Sequence, residues 1–339
     1  MKIGELSRQE ITARLKGPGL RWRTGPFTIH LKTSAPNLAD HLRVLYQSHP
    51  LLNPPYDEVG DFHIHLSRGM GVRRWWRPKV YFKADAPSPF SPFPLDHALP
   101  LLEWGTNYCI ASRAHQYLIL HTGAVERNGR VLLLPGLPGS GKSTLTAALS
   151  LRGWRLFSDE FALVRPGTGR IAPLVRPIAL KNESIAAIRR FDSNAQLGPE
   201  FPNTRKGTVA HLRPPPASVA ADQQPAPPGW IVCPSFERGS SVTFEPLTQD
   251  QGFFQLAGNA FNYEVQGARG FRAVAQMAHH CPTWKMTFGN LEEAIEALEK
   301  LTDEVQVPMK PSPPAKADPP SETTPPPQTQ HPPLTGIER

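Results

Sequence analysis

The sequence predicts an α/β chain in which a P-loop domain follows a smaller α+β domain. Three observations carry this expectation. The first is Gly136-Leu137-Pro138-Gly139-Ser140-Gly141-Lys142-Ser143, a full Gly-x-x-x-x-Gly-Lys-Ser pattern set between a short apolar run and a helix-spaced one. The second is apolar alternation near the N-terminus, where Phe27, Ile29 and Leu31 alternate with Thr28, His30 and Lys32, and Phe62, Ile64 and Leu66 with His63 and His65. That two-residue period belongs to half-buried strands. The third is length: 339 residues accommodate two domains at roughly 100 to 200 residues each.

The smaller domain spans 1–115. Between its two alternating strands, Leu38, Leu42, Val44, Leu45 and Tyr46 follow Asn37, a good N-cap, at mostly helical spacing. A third strand is expected at 79–83, and after the proline run of 87–94 an apolar helix with Leu101, Leu102, Trp104 and Tyr108 among its buried positions. The P-loop domain spans 116–307. It begins with a strand at 117–120 and continues with 130–134, apolar enough to be buried on both faces. After the P-loop a helix places Leu145, Ala148 and Leu149 on one face and ends before Gly153. A strand at 154–158 leads to Asp159-Glu160, and 161–165 with 171–175 flank a Gly-containing hairpin turn. The stretch 213–229 holds six prolines in 17 residues and reads as an exposed loop. Strands are expected at 230–232 and 242–244, then helices from 251 to 301. The tail 308–339 carries eleven prolines in 32 residues with little to bury, a composition expected to be disordered.

Composition narrows the function classes. Proline is high, 39 of 339 residues, about twice the usual ~5%. The net charge of +8 suits an anionic ligand without naming it. Cys109, Cys233 and Cys281 are odd in number and far apart, so neither a disulfide framework nor a Cys-x-x-Cys site is expected, and a reducing cytoplasm fits best. No run approaches the ~18 apolar residues of a membrane span, and residues 1–15 lack the apolar core of a signal peptide.

The P-loop carries the chemistry. Its glycines let backbone N–H groups turn inward toward phosphates, and the following helix adds its positive end. The cradle comprises Gly136, Leu137, Pro138, Gly139, Ser140, Gly141, Lys142, Ser143 and Thr144. Lys142 would reach the β- and γ-phosphates of ATP and the Ser143 hydroxyl would ligate Mg2+. Asp159, at the end of the strand after the P-loop helix, stands where open parallel sheets place ligand chemistry. A carboxylate there can hold magnesium or take a proton from an attacking hydroxyl.

These residues resemble the HPr kinase/phosphorylase family, and more closely its offshoot, HPr-related kinase A. His121-Thr122-Gly123-Ala124-Val125 stands where HPr kinases have a His-Gly segment, Leu149-x-x-Arg152-Gly153-Trp154 follows the P-loop, and Asp159-Glu160 takes the place of an Asp-Asp pair. Looser similarity to the offshoot extends over Leu101-Leu102-Glu103-Trp104, over Arg176 through Glu183, and over Thr204-Arg205-Lys206-Gly207. The resemblance implies the fold shared with phosphoenolpyruvate carboxykinase. It also implies a kinase acting on a Ser or Thr hydroxyl of a peptide or small protein, with ATP and Mg2+. Asp159 would be the base, His121 would assist, Lys142 would act on the transferred phosphate, and Ser143, Asp159 and Glu160 would surround the metal. Its wider context implies a PqqD-like peptide-binding protein as partner and a homo-oligomer. Read without the resemblance, the same P-loop and Asp159 also suit a small-molecule kinase, or a nucleotide-binding regulator with little transfer.

Weaker groupings favour plain explanations. His63 and His65 share one strand face with no third ligand nearby, so a solvated face is expected. His279-His280-Cys281 does not converge on one point as zinc requires. Arg73-Arg74-Trp75-Trp76-Arg77-Pro78-Lys79 is one basic aromatic run, too small a footprint to expect nucleic acid. Lys181, Arg205 and Lys206 could complete a cationic rim around the γ-phosphate.

Overall fold

The computed structural model describes residues 1–53, 60–69, 76–85 and 87–305. The tail 308–339 and residues 73–75 of the basic aromatic run lie outside the described residues. Within them the chain is mixed α/β, with ten α-helices and three sheets. None of these helices is long and apolar enough to cross a membrane.

The N-terminal part begins with α1 (Arg8–Lys16), where Ser7 caps the Glu10 amide and Glu10 accepts from the Ser7 amide. β1 (Leu20–Thr24) and β2 (Phe27–Thr33) pair as a hairpin whose alternating side chains reach the core. α2 (Leu38–Leu45) follows, with Leu38, Leu42 and Leu45 buried. Asn37 occupies its N-cap at φ 64° without a side-chain hydrogen bond. β3 (Leu51–Leu52), β4 (Phe62–Arg68), β5 (Lys79–Lys83) and β6 (Phe93–Pro94) complete a six-stranded sheet, order β3-β1-β2-β4-β5-β6. α3 (Ala98–Arg113) packs against it, burying Leu101 and Leu102, while Trp104 and Tyr108 are half-buried at its margin.

β7 (Leu118–Arg127) is ten residues long, well beyond the four-residue strand expected, and carries the His121-Thr122-Gly123 segment. β8 (Arg130–Pro135) pairs with it antiparallel, and α4 (Lys142–Leu151) follows the P-loop. Gly153, at φ +95°, lets the chain turn back just past the helix. β9 (Arg155–Ser158) and β10 (Phe161–Val164) then occupy successive halves of the other edge of β7, both antiparallel to it. β11 (Ile171–Ala172) closes the expected hairpin with β10.

Next come β12 (Ile178–Lys181), α5 (Glu183–Phe191), β13 (Phe201–Thr204) and β14 (Gly207–Leu212), the three strands forming an antiparallel sheet in the order β12-β14-β13. The proline-rich stretch 213–229 is not an exposed loop. It contains α6 (Pro216–Ala220) and buries Ser218, Val219, Asp222 and Ala226, and the Ser218 hydroxyl oxygen accepts from the Leu156 amide. Pro216 suits a first helical position, where no amide hydrogen is needed. β15 (Pro228–Phe236), β16 (Thr243–Leu247), α7 (Gln249–Gly258), α8 (Tyr263–Gln266) and α9 (Ala268–His280) lead to β17 (Thr283–Phe288) and α10 (Leu291–Glu304). β17 interrupts the run expected to be helical. It pairs parallel to β15, which in turn runs parallel to β8. The large sheet thus runs β11-β10-β7-β8-β15-β17-β16, with β9 also on β7.

The N-terminal core continues into the following region: Ile119, Phe161, Leu163, Leu174 and Phe201 belong to the same apolar cluster as Trp22, Phe27 and Leu101. Polar links cross as well, from the Thr24 hydroxyl to the Val175 carbonyl at 2.9 Å and from the Gly25 amide to Asp222 at 3.1 Å.

Candidate functional site

β8 and β9 are both antiparallel to β7 and lie on its opposite edges, so they point the same way. Their carboxyl ends open at one place. Register aligns Thr122 with Pro135 and Ala124 with Ser158, and the Thr122 amide donates to the Glu160 carbonyl at 3.2 Å. His121, the start of the P-loop and Asp159-Glu160 are therefore assembled by neighbouring backbone. The P-loop strand and the Asp159 strand thus run in the same direction, with the antiparallel β7 between them. Gly123 has a steric reason to be glycine, since a Cβ there would lie 2.2 Å from the Thr146 hydroxyl of α4. Its absence lets the P-loop helix lie against β7.

The P-loop arches from β8 into α4. Gly139 and Gly141 sit at φ +89° and +88°, left-handed conformations in which a side chain would be strained. Leu137, Pro138 and Gly139 are exposed, and Gly136, Ser140 and Gly141 half-buried. The Ser140 carbonyl accepts from the Phe236 amide at 3.1 Å, tying the loop to the end of β15. Ser143 and Thr144 are half-buried in the first turn of α4. Lys142 opens that helix at 7% exposure. Its ammonium has no hydrogen-bond partner among the described residues, and the Ser140 hydroxyl is likewise unpartnered. Buried polar groups are ordinarily paired, so two unpartnered polar atoms in one glycine loop mark it as a place for a ligand. Burial lowers the Lys142 pKa from its usual value, with Glu160 and Asp159 opposing that shift.

Asp159 is also 7% exposed, and one carboxylate oxygen accepts from the Ala179 amide at 3.1 Å. Burial, and then the neighbouring Glu160 charge, push Asp159 up to about 7. Burial works to raise Glu160 too. The positive charge around it, His121 when protonated and Lys206, Lys181 and Lys142, outweighs burial and holds Glu160 below its ordinary value. His121 Nε2 lies 3.7 Å from Glu160 Oε1. Burial, and then Lys142, push the imidazole down to about 4, so at neutral pH this contact joins a neutral ring to a carboxylate. The Phe261 ring packs on His121 with centroids 5.4 Å apart.

Two further cations reach the same carboxylates from the three-stranded sheet. Lys181 ends β12, and Lys206 stands in the turn between β13 and β14, its ammonium 5.4 Å from the centre of the Trp104 ring. Gly207 permits that turn, with φ +83° and the Asn182 side chain against its α-carbon. Lys206 is open to solvent at the cleft mouth, yet the protein around it, and then Lys181, lower its pKa. Arg205 is directed elsewhere and donates to Ser91 at 2.5 Å.

Sequence reasoning assigned no role to Arg176, Tyr46 or His211. Arg176 donates to the Glu103 carboxylate at 2.6 Å and to the Glu103 carbonyl at 2.9 Å, and to Asn107 as well. Tyr46 donates to the other Glu103 oxygen at 2.7 Å. All three members of this buried network come from segments distant in sequence, so no local spacing announces it. His30 and His63 contact each other at 3.0 Å between their Nδ1 atoms, and His65 is exposed. Among the described residues no group of three or more His, Cys, Asp or Glu side chains could hold a metal ion, at His63 and His65, at His279-His280-Cys281 or elsewhere. All three cysteines are free and buried.

Ser143, Asp159 and Glu160 accordingly do not make a closed metal cage. They are oxygen donors of the kind magnesium takes when phosphates and water complete its shell, and the inward-facing, unpartnered Lys142 fits the polyphosphate that would supply the rest. No protein-family model matches the chain, and no curated protein matches it significantly.

Proposed function

We propose that this chain is an ATP- and Mg2+-dependent kinase that transfers the γ-phosphate to a Ser or Thr hydroxyl of a peptide or small protein. The reading includes a P-loop domain of the HPr kinase/phosphoenolpyruvate carboxykinase type. The observation that carries it is the buried, unpartnered Lys142 ammonium at the first turn after the glycine loop, with Asp159 close enough to act on its charge.

In this reading the backbone N–H groups of 139–144 and the Lys142 ammonium hold the phosphates of ATP. Ser143, Asp159 and Glu160 would hold Mg2+, which would supply positive charge to offset that of the phosphates. Asp159, held near 7, accepts the acceptor's proton as the hydroxyl oxygen bonds to the γ-phosphorus and the bond to the ADP oxygen breaks. A base with that pKa is well matched to neutral pH. Neutral His121 lies beside Glu160 and can hold a hydrogen bond without adding positive charge. Lys181 and Lys206 add charge that offsets the anions gathered here.

The test combines two measurements on the full chain: calorimetric titration with a non-hydrolysable ATP analogue and magnesium, and incubation with γ-labelled ATP and cell extract followed by mass identification of the labelled product. Binding with label on a polypeptide is expected. Absence of binding would overturn the nucleotide assignment, and label only on small molecules would overturn the acceptor class.

A further inference from the structure

Asp159 and Glu160 border a second space besides the P-loop. A cleft runs between α3 and the three-stranded sheet, and its wall includes both carboxylates together with Trp104, Lys181, Lys206 and His211, but none of residues 136–144. The carboxylate pair therefore stands between the phosphate loop and this cleft. We infer that the cleft is the acceptor subsite and that it selects a Ser or Thr flanked by acidic side chains. This rests on the kinase reading above and goes beyond it in naming the chemistry of the acceptor and the part of the chain that reads it.

Charge is the first support. Arg176, deep in the wall, is already satisfied by Glu103, but Lys181 and Lys206 have no ion-pair partner within 4.0 Å among the described residues. Lys206 is held at the mouth by the Trp104 ring, a contact that orients an ammonium without neutralising it. Glu160 acts on both cations from within the cleft, but neither is tied into an ion pair, so an acceptor bringing a carboxylate to the mouth meets the exposed Lys206 ammonium, and one bringing lysines meets repulsion. Specificity of this kind needs both terms.

Size is the second support. The interior of the cleft is a narrow cavity of about 30 Å³, room for roughly two water-sized groups. A hydroxymethyl group can enter beside Asp159; a phenol or a sugar ring cannot without opening the walls. The acceptor thus inserts the end of one side chain and leaves its flanking residues at the mouth, where Lys206 stands.

His211 is the third support. It is 0% exposed, lines this cavity, and neither ring nitrogen has a hydrogen-bond partner. A neutral imidazole offers one N–H and one acceptor nitrogen, so His211 brings two unmatched polar atoms to the wall of this cleft. Because α3 supplies Trp104, acceptor choice is shared between the N-terminal part and the phosphate-binding part.

The experiment uses the full chain loaded with magnesium and a non-hydrolysable ATP analogue. Fluorescent peptides with one central Ser and Glu, Gln or Lys flanks are titrated by anisotropy, with Thr and Tyr versions of the Glu peptide and with glycerate as a small hydroxy-acid competitor. The Glu-flanked Ser and Thr peptides should bind about tenfold or more tighter than the Lys-flanked one, a difference that corresponds to 1.4 kcal/mol, and the Tyr version should bind weakly. Lys206→Glu, checked for an unchanged unfolding transition, should abolish or reverse the preference for Glu over Lys flanks. Nucleotide binding with equal affinity for all flanks, or with no peptide bound at all, overturns the inference and leaves the kinase reading standing. Displacement of the Glu peptide by millimolar glycerate overturns the polypeptide source. Failure to bind the nucleotide analogue removes the kinase reading itself, and this inference with it.

Discussion

The Lys142 ammonium is buried with no hydrogen-bond partner, and two expectations follow from that. Lys142→Ala should weaken binding of the Mg-ATP analogue by about 10- to 100-fold, the loss of a strong charge-assisted contact. The unliganded protein should not unfold at a lower temperature, because burial of the ammonium costs more than Glu160 and Asp159 return. Calorimetry with and without nucleotide checks both. At Asp159 the proposed role as base and stability oppose each other. Its folded pKa, about 7, lies above the unfolded value, so the folded state holds its proton longer and stability falls as pH rises from about 4 to 7. Asp159→Asn should therefore raise neutral-pH stability, on the order of 2 kcal/mol, while lowering transfer about 10²- to 10⁴-fold. In the unaltered protein the transfer rate should climb with pH through about 7, and a flat profile across pH 6 to 8 would count against Asp159 as the base.

Among the elements, the fit of β7 to α4 depends on one missing atom. Gly123→Ala would drive a methyl to within 2.2 Å of the Thr146 hydroxyl, and overpacking of this sort costs about 1 to 3 kcal/mol. The helix carrying Lys142 would have to move, so nucleotide affinity should fall as well. Adding Thr146→Ala should recover most of both losses, whereas no recovery would show that the contact is not what makes Gly123 necessary. What the sequence disclosed at this scale follows from where local signals exist. The P-loop, its helix, the β10–β11 hairpin and the alternating strands β2 and β4 are announced by spacing alone. β17 was hidden because Thr283 to Phe288 packs between β15 and β16, and its pattern of buried and half-buried residues differs little from a helix margin. The stretch 213–229 misled for a different reason: prolines at a helix start and strand edge are compatible with burial once the amides they lack are not needed. His121, Lys142 and Asp159 were legible as separate residues. Their convergence on a mixed sheet, with β7 between β8 and β9, depends on non-local pairing that periodicity does not encode.

Across the whole molecule, the N-terminal part and the P-loop region share apolar core and a buried ionic network. Glu103→Leu would leave Arg176 buried without its carboxylate, a change that typically costs about 3 to 5 kcal/mol. Denaturant unfolding should show that loss as one transition, since Tyr46, Glu103 and Arg176 join the two parts. A chain restricted to 116–305 would expose the face of Phe161, Leu163 and Leu174 that packs on Trp22, Phe27 and Leu101, and should aggregate or bind a hydrophobic dye. A monomeric, cooperatively folded fragment would show that the shared core is dispensable.

β7 is hydrogen-bonded along one edge to β8 and along the other to β9 and then β10, so no half of the site can open while the other stays intact. Amide exchange at 119–125 should then require global unfolding and be the slowest in the chain. The loop rests on the local β7–β8 hairpin and the carboxylate wall on the later pairing of β9 and β10 with the other edge of β7, so the site is expected to be complete only once both edges are paired. A nascent or partly folded chain would have no complete site in which to bind nucleotide.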